Sequence, residues 1–235
     1  MSREEEVVPG SRSGKKRKTA HQVKLTYLDI KGLGEPIRLA LWIGNVDFED
    51  ERITKAEIGA RRTAGVLPHG QVPVLEIDGV IHSQAMALLR WAGCEAGLPS
   101  TSLSIDAGLE AMTDIIFCFR PLWYGAALGK SPVTGEPLVA LNDVQKAEVA
   151  AKLNSEVLPV RLRRLEAALG DAEYFGGGVL STADLRWYVI GEGLLDGSYC
   201  KGVSPAVLAS CPNLKALVER VGAHPRVVEW NARHK

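Results

Sequence analysis

GQVPVLEIDGVIHSQAMALLRWA, residues 70–92, sets out a strand, a tight turn, a second strand and a helix start in one short stretch. Val72 to Ile77 is an apolar, β-branched run suited to a strand. Asp78-Gly79 is a two-residue hairpin signal, because glycine accepts the positive φ that such turns require. Val80 to His82 then pairs back, and from Gln84 the apolar residues Met86, Leu88, Leu89 and Trp91 follow helical spacing. Pro73 has no N–H for a sheet ladder, so it requires an edge position or a special geometry such as a cis peptide bond. An edge at that point leaves the Val72 backbone available to a ligand.

Working outward, Val23 to Leu28 reads as a strand and Glu35 to Ile43 as a helix with Pro36 in its first turn. Asp47 to Ile53 reads as a second strand, followed by a helical or irregular segment over Lys55 to Ala64. With the hairpin and a helix from Gln84 to Ala96, the order is βαβ then ββα, a thioredoxin-like α/β domain. Gly97-Leu98-Pro99-Ser100 suits a linker. Beyond it the spacing is helical over roughly 105–128, 142–169, 182–195 and 213–222, with no internal repeat. The expected organisation is a disordered basic tail (1–21), an α/β domain (22–96), a linker (97–103), an all-helical domain (104–230) and a short C-terminal tail (231–235).

Ser181 precedes Asp184 by three residues before an apolar helix, a capping-box arrangement with Leu180 and Leu185 placed as a hydrophobic staple. Its role is in folding. Composition sets wider bounds: 235 residues with 46% hydrophobic content suit one large or two modest globular domains. A formal net charge of zero implies no nucleic-acid partner. Cys94, Cys118, Cys200 and Cys211 lie far apart without CxxC spacing, which favours a reduced cytoplasmic chain over a zinc or dithiol site. No apolar run is long enough for a membrane span, and the N-terminal segment lacks the apolar centre of a secretory signal. Lys15-Lys16-Arg17-Lys18 is either part of a solvated tail or a nuclear-localisation or anion-binding patch.

The hairpin with its proline resembles the glutathione-binding half of a cytosolic glutathione S-transferase. Lys24 to Leu41, KLTYLDIKGLGEPIRLAL, resembles that family's first strand, catalytic loop and first helix, and STADLRWY, 181–188, resembles the capping motif of a central helix in its all-helical domain. The resemblance covers roughly residues 22–232 and is nearest the tyrosine-dependent mu and sigma classes. It implies glutathione as a co-substrate, no metal and no tightly bound cofactor, a hydrophobic electrophile as second substrate, and a homodimer. It places Tyr27 at the family's catalytic tyrosine.

The chemistry required of Tyr27 is definite. A free thiol with a pKa of about 8.5 is only a few per cent thiolate at neutral pH. A phenol donating a charge-assisted hydrogen bond to the thiolate lowers that pKa, and a two-unit drop is about 2.7 kcal/mol of differential stabilisation. Without the resemblance, Tyr27 is equally an ordinary strand aromatic.

The same resemblance implies that Val72, ahead of Pro73, pairs its backbone with the cysteinyl part of glutathione. Gln71 is placed at the glycyl end, and Gln84 and the helix start behind it at the γ-glutamyl group. Asp106 corresponds to an aspartate that reaches the glutamyl amine across a dimer interface, or else is a solvated helix residue. Ala85 stands where the family usually has serine, so one hydroxyl contact is lost while the backbone amide survives. The family's tryptophan and lysine for the glycyl carboxylate have no clear match between Ile53 and Pro68. Arg61 and Arg62 either substitute for them or are exposed charges.

Leu33 stands where, by the same resemblance, sigma-like enzymes often carry arginine and mu-like enzymes a leucine, which leaves the class open. Lys31 reads as solvated, and Asp29 and Glu35 as charges complementing the helix dipole. Phe119, Leu122, Trp123 and Tyr124, with Trp230 and Leu33, are the candidate electrophile pocket, although aromatics at helical spacing more often build core. Two further readings stay open: a glutathione-dependent isomerase of the prostaglandin D synthase type, and a non-catalytic binding or scaffold protein that kept the fold.

Overall fold

The structure is a computed structural model, and it describes residues 21–124 and 141–234. The expected tail, with Lys15 to Lys18, therefore lies outside the described residues except for His21, as does the stretch 125–128 of the long helix.

Four strands form one sheet in the order β2-β1-β3-β4: β1 (Val23–Leu28), β2 (Glu49–Ile53), β3 (Val74–Ile77) and β4 (Val80–Ser83). β1 runs parallel to β2 and antiparallel to β3, which pairs antiparallel with β4. A central strand is covered on both faces, and β1 accordingly buries Leu25, Thr26 and Tyr27 in succession. β3 begins at Val74 rather than Val72, since Pro73 offers no N–H to the ladder. β2 begins at Glu49 rather than Asp47, because its register opens at Lys24 of β1.

Helices pack around the sheet. α1 (Glu35–Ile43) carries Pro36 in its first turn, and α2 (Lys55–Thr63) is opened by a Thr54–Glu57 capping box. α3 (Ala85–Ala96) ends at Gly97, whose φ of 72° forms a left-handed cap.

The helical half departs from the expected lengths at its prolines. The helix expected over 105–128 is instead α4 (Leu103–Phe117) and a short α5 (Arg120–Tyr124). Pro121 cannot continue α4 and sits in the first turn of α5. The helix expected over 142–169 is α6 (Asp143–Lys152), a π-helical turn (Leu153–Val157) and α7 (Leu158–Leu169), with Pro159 in the first turn of α7. α8 (Thr182–Leu195) and α9 (Pro212–Gly222) follow the expected spacing. α10 (Pro225–Arg233) was not expected, and it carries helix past residue 230.

One hydrophobic core runs through both halves, from Leu25, Leu39 and Leu89 to Leu109, Leu162 and Trp187. A smaller cluster of Ile53, Ile58, Leu67 and Val74 lies under α2. Trp230 belongs to this packing and not to a pocket. It is 3% exposed, sits 5.4 Å from the Trp42 ring, and donates its indole N–H to Glu35 Oε1 at 2.7 Å. Among the described residues no helix is long and apolar enough to cross a membrane.

Candidate active site

A cleft of about 1230 Å³ opens between the β1 loop and hairpin on one side and α4, α5 and α8 on the other. Tyr27, Leu33, Gln71, Val72, Pro73, Gln84, Ala85, Leu122 and Trp123 all line it, so most residues singled out in the sequence meet in one place.

Tyr27 sits near the end of β1 and is 6% exposed. Its hydroxyl oxygen accepts the Leu33 N–H at 3.1 Å, closing the loop back on the strand that precedes it. Two glycines allow that closure. A Cβ on Gly32 would lie 2.6 Å from the Tyr27 hydroxyl oxygen, and one on Gly34 would lie 2.5 Å from Cδ1 of the ring. Gly32 also has a φ of 40°, which side-chain-bearing residues rarely adopt.

Arg38 fixes the same loop from beneath. Its guanidinium donates to the Leu28 and Ile30 carbonyls at 3.1 and 2.9 Å and to Asp50 at 2.8 Å, and lies 5.7 Å from the Tyr27 ring centre. Glu35 is buried and held by both Arg38 and Trp230, so its role goes beyond dipole complementarity. Asp29 pairs with Arg52 at 2.5 Å.

The Val72–Pro73 peptide bond is cis, and both residues face the cleft. Gln84 precedes α3 with a φ of 77°, a strained conformation for a side-chain-bearing residue and one that recurs at ligand sites. Behind it the α3 N-terminus offers the Ala85 N–H and the positive end of the helix dipole. His69 Nδ1 lies 2.6 Å from Ser83 Oγ beside them.

Several expected residues stand elsewhere. Arg61 does not line the cleft, because both its terminal nitrogens are committed to Glu51 at 2.8 and 2.7 Å. The pairing holds the Glu51 carboxyl down to about 2. Arg62 is likewise drawn away, donating to the Gly70 carbonyl at 2.7 Å. Asp106 lies outside the cleft of its own chain, where Arg90 reaches it at 2.6 Å. Phe119 is fully buried and backs the wall, with its ring 5.3 Å from Trp123 and 5.4 Å from Tyr199. Tyr124 is in α5, but its side chain lies outside the description. Lys31 is not simply solvated: it crosses the cleft to Glu192 of α8 at 2.5 Å.

Among the lining residues that the sequence did not single out are Lys55, His69, Arg186 and Tyr199. Lys55 carried a signal, standing inside the Thr54–Glu57 capping box that starts α2. Arg186 lay in plain view within STADLRWY, behind the capping motif. Tyr199 is in a loop and carried no periodic signal at all.

The chain matches a family model described as the C-terminal domain of glutathione S-transferase over residues 136–234. It is 31% identical to glutathione S-transferase 1 of Ascaris suum over 215 residues, covering 90% of this chain and 96% of that one. It is 30% identical to hematopoietic prostaglandin D synthase of Gallus gallus over 207 residues, covering 88% of this chain and 94% of that one. Among solved structures, prostaglandin synthase D of Nilaparvata lugens superposes with a TM-score of 0.74 at 26% identity, covering 91% of this chain and 99% of that one. The glutathione S-transferase of Ascaris lumbricoides gives 0.68 at 29% identity, over 91% and 98% of the two chains.

Proposed function

The chain belongs to the glutathione S-transferase family, and from that premise we propose that Tyr27 activates the thiol of bound glutathione for attack on a hydrophobic electrophile. The observation that carries this reading is the Tyr27 hydroxyl, lining the cleft while its oxygen takes the Leu33 N–H. Accepting that hydrogen bond makes the phenol a better donor, and its O–H is directed to the sulfur of glutathione. The thiolate then forms a C–S bond to the electrophilic carbon, and the electron pair of the displaced bond leaves with the leaving group or the adjacent carbonyl.

Glutathione lies along the first wall of the cleft. Its cysteinyl backbone pairs with Val72, and its γ-glutamyl carboxylate meets Gln84 and the N–H groups at the α3 start. Lys55 and His69, in place of Arg61 and Arg62, take the glycyl carboxylate. The electrophile occupies the second wall, against Leu122, Trp123 and Tyr199. The enzyme works in the cytoplasm as a homodimer, and Asp106 retains its expected role only through the partner's cleft.

A second reading draws on the relatives named as prostaglandin D synthases, which suggest isomerisation of an endoperoxide at the same thiolate. Product analysis separates the two: isomerisation consumes no glutathione overall. The convergence of Tyr27, Pro73 and Gln84 on one cleft favours either enzyme over a non-catalytic scaffold.

The test is the pH dependence of kcat/KM for an uncharged aryl halide. The parent should keep its rate down to about two units below the pKa of free glutathione, and Tyr27→Phe should lose about a hundredfold at neutral pH. An unchanged profile in Tyr27→Phe contradicts the proposal.

A further inference from the structure

Arg38 and Arg186 are both buried, 0% and 2% exposed, and the fold treats them in opposite ways. Arg38 meets Asp50 and Glu35 and two backbone carbonyls. Arg186, on α8, has no such set: its Nε is buried without a hydrogen-bond partner, and no carboxylate pairs with it among the described residues. Burying a guanidinium without a counter-charge is costly, and burial does press its pKa below the ordinary arginine value.

This side chain lines the cleft that holds Tyr27. Acidic groups line it too, but each is engaged elsewhere: Glu192 with Lys31, Glu110 with Arg90, and Asp196 with the Ser198 N–H. None of them reaches Arg186. The phenols of Tyr199 and Tyr27 lie within electrostatic reach of the guanidinium, and the same cleft carries the apolar side chains of Ile116, Leu122, Trp123 and Val189. A buried cation without a carboxylate partner, in a cleft that also carries apolar side chains, is complementary to a ligand with an apolar body and one anionic end.

We propose that Arg186 is a specificity-determining residue that receives the carboxylate of an amphipathic acid electrophile, whose apolar body lies against Ile116, Leu122, Trp123 and Val189. This rests on the transferase reading above. For an unsaturated keto acid the step balances without any further reactant. The thiolate sulfur bonds to the β-carbon, the alkene electron pair shifts to form the enolate, and solvent returns to the α-carbon the proton the thiol gave up. The carboxylate on Arg186 is unchanged throughout.

The experiment compares an aryl vinyl ketone carrying a terminal carboxylate with its methyl ester, using the full chain at saturating glutathione. The parent should prefer the acid in kcat/KM by about tenfold to a hundredfold, the range expected of a charge-assisted hydrogen-bonded pair. Arg186→Gln should bring that ratio to about one, mainly through KM for the acid, and Arg186→Lys should retain part of it. A parent ratio near one, or a ratio untouched by Arg186→Gln, overturns the proposal. So does a change in the thiolate pKa of bound glutathione with the ratio intact, which would put Arg186 on the glutathione side.

Calorimetry on the parent alone, with octanoate against octanamide, gives a measurement that requires neither turnover nor a folded variant. Tighter binding of octanoate supports the assignment, and equal binding overturns it. Turnover of the ester by the parent reports on the transferase reading separately.

Discussion

The two walls of the cleft are built by different means. The first, from Tyr27 to Gly34 and from His69 to Ala85, is made of local backbone devices: a loop closed on a tyrosine, a cis proline, a two-residue hairpin and a helix start. The second brings together Trp123 from α5, Arg186 from α8 and Tyr199 from the loop beyond it, and depends on how helices pack. On the proposed reading, a constant peptide binds the first construction. On the same reading, varied electrophiles meet the second, where side chains can change without disturbing the backbone.

The largest expected effect separates the walls by stability. Asp184 anchors α8, accepting the Ser181 N–H at 2.7 Å, the Phe175 N–H at 2.8 Å and the Ser181 hydroxyl. Asp184→Ala strands these buried donors and should cost about 3–5 kcal/mol in denaturant unfolding. A cost below about 1 kcal/mol would mean that the second wall does not hang on this box.

On the first wall, Gly34 has a helical φ of −80°, so Gly34→Ala is acceptable to the backbone and acts only by pushing its Cβ into the Tyr27 ring. A fall of about tenfold or more in kcat, with glutathione affinity nearly kept, is expected from displacing the hydroxyl. An unchanged kcat would show that the ring position is not critical.

The smallest effect is a gain. Ala85→Ser supplies a hydroxyl at the α3 start and should tighten glutathione by about threefold to tenfold, read as Kd by calorimetry. No gain would mean that the γ-glutamyl carboxylate lies away from the α3 N-terminus.

These differences explain what the sequence disclosed. The hairpin, Pro73 and the capping box are short-range signals, because each depends on residues within a few positions of one another. The order of elements in the α/β half and the residues of the first wall were legible for that reason. Arg61 and Arg62 were drawn elsewhere by Glu51 of β2 and by the Gly70 carbonyl ahead of β3, contacts that appear only once α2 is packed against both. Trp230 was misread because α10 folds back on α1, bringing it to Glu35 from far along the chain. Arg186 stood in a motif whose capping role was plain, and its burial without a partner is a property of packing alone.

On the proposed mechanism Tyr27 lowers the pKa of the bound thiol. An ultraviolet difference titration of the glutathione thiolate against pH, at saturating glutathione, tests it without any electrophile. In the parent the bound thiol should titrate about two units below free glutathione, and in Tyr27→Phe its pKa should return to near the free value. A bound thiol that titrates like free glutathione in both proteins would contradict it.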